Sequence, residues 1–362
     1  MSVHTAIAAT AKGQIDVIQV PTRAPDAGEV LLRVEYAAMI AFDTYVTDLG
    51  FFVEEYPMIL GFSASGTVSN LGSGVEGLKV GDRVTAFTFG ESQNKGLQEY
   101  ITLSKNVVAK IPDSLPLAAA ATLPDNFVTS FYTLFNQLGL PIPASFPATI
   151  PPPLASVPVV IYGAGSVSGI YAVQLLHTAG YKKIVAIASE RNHKYLHSIG
   201  ATDTIDYRSP SFVEDISAAV GGDGKVLLAV DCIAAETTSL KTLGSVMSPL
   251  GKLAVLLPLK EGSTVTNAPD QELYGEVRPE KTPFPEGTEL VYVRTFLYQQ
   301  DETLREKLMP NILPALLESG GISPTRVRLL DLGSLLDRVS TGLQLLRENK
   351  ISSEKVIVKV IA

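Results

Sequence analysis

The 362-residue sequence holds a single cysteine, Cys232. One thiol excludes a disulfide framework and any cysteine-rich zinc site. Histidine is scarce as well: His4, His177, His193 and His197 are the four present. None is spaced with a carboxylate or cysteine as a metal site demands. His193 and His197 lie four apart on one predicted helix, lack a third ligand, and read as solvated helix surface. Positive charge is the minority, with 29 Lys and Arg against 37 Asp and Glu and a net charge of −8. A nucleic-acid binder would show a basic face. No window approaches the ~18 uninterrupted apolar residues of a membrane helix. The start, MSVHTAIAATAKGQIDV, has neither a basic n-region nor a long apolar core. The expectation is a cytoplasmic protein with no metal, no nucleic-acid partner and no membrane.

What is present is organised around residues 157–169, Val-Pro-Val-Val-Ile-Tyr-Gly-Ala-Gly-Ser-Val-Ser-Gly. Val159, Val160 and Ile161 predict a short strand buried on both faces. Ile170, Val173 and Leu176 recur at helical spacing over 170–178. Between them lie Gly163, Gly165 and Gly169. Strand, glycine turn and helix leave backbone N–H groups at a helix N-terminus, where a pyrophosphate fits. Gly163 permits the tight turn and Gly165 the approach of a phosphate. The match to the dinucleotide fingerprint is imperfect, since Ser168 holds the third glycine's place and Gly169 follows one later. A second predicted strand, Ile184 to Ala188, supplies the context that the motif needs.

The rest of the chain frames this turn. Residues 1–35 alternate like strands, with Thr5 to Ala9 and Glu29 to Glu35 clearest, and residues 58–90 continue with short strands and frequent glycines. Leu117 to Leu123 is alanine-rich and helical. Phe127 to Leu138 predicts another helix, with Asp125 or Asn126 available as N-cap. Residues 141–158 are proline-rich and predict an extended connection. From 158 to 257 strands and helices alternate, which predicts a parallel, doubly wound α/β sheet. Residues 259–289 interrupt it with a polar insertion, and Glu289 to Leu297 predicts a further strand. A helix over 302–318 must kink or split at Pro310 and Pro314. Val327 to Leu330, a helix over 333–347 and the strand Lys355 to Ile361 form a tail that could rejoin the first part. The fold class is therefore α/β: a Rossmann sheet over 127–319, plus a β-rich domain over 1–126 completed by 320–362. Such sheets bind ligands in the crevice at their strand ends.

The second Rossmann strand ends in Ser189-Glu190-Arg191-Asn192-His193-Lys194. Ser189, Arg191 and Lys194 offer a hydroxyl and two cations of the kind a 2′-phosphate takes. Glu190 could instead serve a ribose 2′-hydroxyl. The expectation is NADPH. A helix N-cap by Ser189 with solvated charges after it is the alternative.

Four segments carry a resemblance: GEVLLRVEYAA, GFSASGTVSNLGSGVEGLKVGDRV, IYGAGSVSGIYAVQL and SIGATDTIDY. Over nearly its whole length the chain resembles the medium-chain dehydrogenase/reductase superfamily. Within it, the Tyr162-containing turn, the Leu273-Tyr274-Gly275-Glu276 insertion and the ending Glu348 to Lys355 resemble zinc-independent enoyl reductases that act in trans with fungal polyketide synthases. The resemblance implies a GroES-like catalytic domain beside an NADPH-binding Rossmann domain. It implies that Gly163, Ala164, Gly165, Ser166, Val167, Ser168 and Gly169 hold the pyrophosphate. Ser189, Glu190, Arg191, Asn192 and Lys194 would surround the 2′-phosphate, with Tyr207 over the adenosine end. Cys232, Ile233, Leu256 and Leu257 would flank the nicotinamide, Thr129 would face the cleft, Asp43 would contact the cofactor, and Ile351 and Ser352 would close over it.

The chain also departs from the pattern. Zinc-dependent members have a cysteine near 41 and Gly-His-Glu at 61–63; here stand Ala41 and Gly61-Phe62-Ser63. Zinc-free relatives carry Asn-Pro-x-Asp and often a lysine shortly after; here only Asp43 remains, and Tyr45 and Val46 stand where the lysine would be. Tyr45, and after it Tyr56, are the candidate proton donors, with a core aromatic as the alternative role. Cys232 reads as a small cofactor-lining residue and Asp231 as a strand-end polar group. The activity implied is NADPH-dependent reduction of an α,β-unsaturated carbonyl, on a small molecule or on a carrier-bound substrate of a polyketide synthase. A stand-alone quinone or small-enone reductase, and a cofactor-binding protein without turnover, are the other readings. The resemblance implies a monomer or a homodimer: the Glu289–Leu297 strand could pair across a dimer as in many relatives, while the resembling enoyl reductases are often monomeric.

Overall fold

The computed structural model describes residues 2–263 and 271–361; part of the expected polar insertion, 264–270, lies outside the described residues. The chain divides into two compact units. The first comprises Met1–Val128, Phe296–Glu318 and Ser323–Ala362, and the second Thr129–Thr295 with Ser319–Ile322.

The second unit is built on a six-stranded parallel sheet. Its order across the sheet is Asp203–Ile205, Ile184–Ile187, Val159–Tyr162, Val226–Asp231, Met247–Leu256 and Glu289–Val293. Counted along the chain this is the order 3-2-1-4-5-6 of a Rossmann sheet. Val159, Val160, Ile161 and Tyr162 are all buried, as strands covered on both faces require. The strand order reverses at Val159–Tyr162, which lies between the second and the fourth strands. Sheets of this kind bind ligands at that switch point. Residues 259–289 add a short antiparallel pair, Leu259–Lys260 with Leu273–Tyr274.

The first unit carries a sheet in the order Arg326–Leu330, Glu354–Lys359, Glu29–Met39, Ser63–Leu71, Arg83–Phe87 and Val108–Lys110, with Tyr100–Ser104 also on Glu29–Met39. The tail strand pairs antiparallel with the first part, Val356 opposite Met39. A three-stranded sheet, Gln14–Pro21, Val3–Ala11 and Met58–Ile59, completes it.

Several boundaries differ from expectation. The helix placed at Phe127 begins at Pro124, because proline suits the first helical turn, where no N–H partner is needed. Asp125 therefore sits in that first turn rather than at the N-cap. The strand expected over Glu289 to Leu297 stops at Val293, and Thr295–Gln300 turns into a 3-10 helix. Its Phe296 ring stacks on Phe89 at 5.1 Å and its Tyr298 lies beside Phe87. The helix over 302–318 splits into Glu302–Lys307 and Leu313–Glu318 around a π turn at Leu308–Ile312. Pro310 has no N–H to continue the ladder. Residues 296–318, expected in the Rossmann domain, belong to the first unit. There Leu304, Leu308, Met309, Leu313 and Leu316 are buried, with the π turn packed on Val108–Lys110.

Candidate cofactor and catalytic site

The strand register brings the ends of the parallel sheet into one row. Ile187 pairs with Tyr162, Tyr162 with Asp231, and Asp231 with Val255. One residue further on, the chain reaches Ala188, Gly163, Cys232 and Leu256. Four of the expected cofactor segments thus share one edge of the sheet.

At this edge Gly163 adopts φ +76°, a left-handed conformation that glycine takes without steric cost. A Cβ there would stand 2.6 Å from the Ile233 side chain. The Gly163 and Ala164 N–H groups both donate to the Ile187 carbonyl, at 3.0 and 2.9 Å. Ser166 caps the helix Val167–Thr178, its hydroxyl accepting the Gly169 N–H at 3.1 Å. A Cβ on Gly169 would lie 2.6 Å from both Ala164 Cα and the Gly163 carbonyl oxygen. The late third glycine thus lets the helix press onto its own turn. Ser130, on the preceding helix, donates to the Ser168 carbonyl at 2.7 Å and fixes that first turn from behind. Thr129 beside it shares a hydrogen bond with Thr295, 3.0 Å away.

Asp231 lies buried under the next turn. Its Oδ1 accepts the Ile233 and Ala234 N–H groups at 2.8 and 3.0 Å, and Ser239 donates to Oδ2 at 2.6 Å. Burial raises its carboxyl above the usual range against those three hydrogen bonds. It is a backbone anchor that shapes the Cys232-Ile233 turn. Burial and the nearby Asp231 charge also push the Cys232 thiol up, against a hydrogen bond to Ser166. A protonated thiol is a lining group and not a nucleophile.

Beyond the second strand, Ser189 occupies the cap position of the 3-10 turn Glu190–Asn192, but its hydroxyl makes no cap bond. It points instead to the Tyr207 hydroxyl, 3.4 Å away, which removes the N-cap reading of this serine. Tyr207 is 45% exposed, and the Arg208 guanidinium lies 5.3 Å from its ring centre. Asp206 accepts the Glu190 N–H at 3.0 Å and pairs with Arg208 at 2.6 Å. That pairing holds the Asp206 carboxyl well below the usual range. Arg191 and Lys194 are exposed and Asn192 is buried. The loop therefore presents a hydroxyl, an aromatic face and three cations. Arg208 was not singled out from sequence; its position directly after Asp206-Tyr207 was the available signal.

The remaining expected residues lie in the first unit, outside this row. Ile351 and Ser352 are half-buried ahead of the strand Glu354–Lys359. Asp43, expected as a cofactor contact, is fully buried, its Oδ2 accepting the Ile40 N–H and its Oδ1 the Gly61 N–H, both at 2.8 Å. In this position it ties the Ile40 and Gly61 backbone together. Burial pushes its carboxyl up to about 6, against the two backbone donors and the Lys95 charge. Tyr45 is buried beside Phe42 at a ring separation of 5.9 Å. Burial raises its phenol further above the ordinary value, which weakens it as an acid. Phe62, at the position of the zinc histidine, is a buried ring against Phe42. Among the described residues no cluster of three or more His, Cys, Asp or Glu is arranged to hold a metal.

Sequence reading missed two buried cations in this unit. Lys355 is 2% exposed. Its ammonium pairs with Asp125 and donates to Asn126 Oδ1 at 2.7 Å and the Thr122 carbonyl at 3.3 Å. Ser63 closes the group, donating to Asp125 Oδ1 at 2.8 Å and accepting the Asp125 N–H at 3.0 Å. Lys95, also 2% exposed, lies with Nζ 4.0 Å from the centre of the Phe62 ring and 5.0 Å from that of Phe89.

Residues 26–113 match the alcohol dehydrogenase GroES-like domain and residues 169–268 the family described as zinc-binding dehydrogenase. Among curated proteins the chain is similar to the trans-enoyl reductase himH of Aspergillus japonicus, 37% identical over 59% of this chain and 61% of that protein. It thus spans about three fifths of that relative. It is also similar to the trans-enoyl reductase buaC of Petromyces alliaceus, 27% identical over 98% of this chain and 97% of that protein. Among solved structures, the CurK enoyl reductase superposes with a TM-score of 0.75 at 20% identity, covering 98% of this chain and 99% of that one. With its two family matches, its strand order and its glycine turn, the chain belongs to the medium-chain dehydrogenase/reductase superfamily.

Proposed function

We propose that this protein is an NADPH-dependent reductase of an activated carbon–carbon double bond, of the enoyl reductase type. The observation that carries the reading is the strand-end row of the second unit, joined to the Ser189–Lys194 loop. The residues there suit a dinucleotide: two crowded glycines at the turn, an exposed Tyr207 for an adenine face, and a serine hydroxyl that caps nothing.

Gly163 to Gly169 hold the pyrophosphate, and Ser189, Arg191, Lys194 and Arg208 hold the 2′-phosphate through charge-assisted hydrogen bonds. Cys232, Ile233, Leu256 and Leu257 keep water from the nicotinamide end. A bound nicotinamide supplies a hydride to an electron-poor alkene carbon. The protein's tasks are to orient the two partners and to stabilise the negative charge that then develops on the carbonyl oxygen. Likeness to trans-enoyl reductases supports a carrier-bound unsaturated thioester of a polyketide synthase as the substrate.

The test is oxidation of NADPH, followed at its absorbance band, with 2-enoyl thioesters, enones and quinones, and NADH run in parallel. Turnover of enoyl thioesters with NADPH at least tenfold better than with NADH supports the reading. Preference for quinones would make the protein a quinone reductase, and tight cofactor binding without turnover of any of these would overturn the enzymatic reading.

A further inference from the structure

Within the second unit a buried carboxylate and a buried ammonium, Asp231 and Lys260, support the turn proposed to flank the nicotinamide. The groups bonded to the Asp231 oxygens are all donors: the Ile233 and Ala234 N–H groups on Oδ1 and the Ser239 hydroxyl on Oδ2. Ser239 also accepts the Ala235 N–H at 3.0 Å, which turns its own proton toward Asp231. A carboxyl that only accepts suits the charged form. A charge so deeply buried calls for a counter-charge.

Lys260 supplies it. Burial brings its ammonium down to about 8, opposed by the Asp231 charge. At neutral pH it therefore keeps its proton, and its charge in turn favours the ionised Asp231. Nζ donates to the Pro258 carbonyl at 3.5 Å, so the two charges attract across the interior rather than through a shared bond.

The backbone of the same segment splints the turn. Lys260 N–H donates to the Ala234 carbonyl at 2.8 Å, and Thr237 N–H to that of Gly262 at 2.9 Å. Ala235 and Lys260 form a parallel bridge. Ala234 stands at φ +55°, a left-handed conformation that a residue with a Cβ keeps only where its surroundings impose it. The turn so held meets the glycine turn of the cofactor row. A Cβ on Gly163 would stand 2.6 Å from the Ile233 side chain and 3.4 Å from Cys232 Cβ.

We infer that Asp231, Ser239 and Lys260 are a buried positioning group for the nicotinamide end of the cofactor. Lys260 neutralises Asp231, Asp231 and Ser239 hold the Cys232–Ala235 turn, and that turn fixes the wall against which the ring lies. The inference rests on the cofactor reading above. The three residues act through the turn.

The test compares NADPH with 2′-phospho-ADP-ribose, which lacks the nicotinamide, by isothermal titration of the full chain at neutral pH. Fluorescence of the bound dihydronicotinamide is recorded beside it. Wild type should bind NADPH the tighter and change its emission. Lys260→Met should weaken NADPH binding by about tenfold, the size expected when a partner supporting a binding group is removed. It should also lose the change in emission while keeping its affinity for 2′-phospho-ADP-ribose. The double variant Asp231→Asn with Lys260→Met should recover most of the loss. Asn Oδ1 still takes the Ile233 and Ala234 N–H groups and needs no counter-charge, whereas lost packing at 260 would not be repaired this way. Should Lys260→Met fail to fold, Ser239→Ala strands no charge and carries the same test. It should weaken NADPH binding by about threefold to tenfold at unchanged affinity for 2′-phospho-ADP-ribose. Equal losses for the two ligands, no loss for either, or a double variant no better than Lys260→Met would overturn the inference and leave the cofactor reading intact, as would a wild type that binds the two ligands alike. A wild type that binds neither would overturn the reading itself.

Discussion

Single residues decide how the glycine turn proposed to hold the nucleotide is built. Gly163 and Gly169 each occupy a place where a methyl group meets another atom at 2.6 Å, and Gly163 also needs φ +76°. Gly169→Ala should weaken NADPH binding at least tenfold, because its obstacle is backbone and cannot swing aside; isothermal titration checks this. On the proposed 2′-phosphate site, Ser189→Ala would remove one bond to a charged phosphate, worth about 1.5–3 kcal/mol. The ratio of kcat/KM for NADPH over NADH should fall by roughly tenfold or more. Asp43 belongs to a different class. Asp43→Ala leaves the buried Gly61 N–H and the half-buried Ile40 N–H unpaired, at about 1–3 kcal/mol for a buried donor. It should lower the melting temperature while cofactor affinity stays unchanged. The glycines were legible in the sequence because their requirement is local. The role of Asp43 was not, because its partners include Gly61, which folding alone brings near.

At the scale of elements, the alternation of strand and helix over 158–257 was readable because each element has its own apolar pattern. Pairings between distant segments left no such trace. The strand Glu354–Lys359 carries Lys355, whose partner Asp125 stands in the first turn of the helix Pro124–Phe131. In sequence Asp125 looked like a helix cap, and Lys355 like the polar half of an alternating strand. Burial and the Asp125 charge act on Lys355 in opposite directions, with burial the larger, so its ammonium is held below the ordinary lysine value. Breaking such a pair from one side leaves a lone buried charge and costs about 3–5 kcal/mol. Lys355→Met should therefore lower stability by that amount in urea unfolding. Lys95 was illegible for the same reason: it follows a short turn, Ser92–Asn94, and the rings around its ammonium come from 62 and 89.

For the whole molecule, the β-rich first part, the central Rossmann sheet and the returning tail could be anticipated from composition and periodicity. The allegiance of 296–318 could not, since its apolar spacing says only that one face is covered and not by what. The central claim is that the protein adds hydride to the β-carbon of an unsaturated carbonyl. The most direct measurement uses NADPH carrying deuterium at the transferable position, a 2-enoyl pantetheine, and mass spectrometry with NMR of the product. The account predicts a saturated thioester with one deuterium on the β-carbon and a solvent-derived hydrogen on the α-carbon. Deuterium on the carbonyl carbon, with the double bond retained, would contradict it.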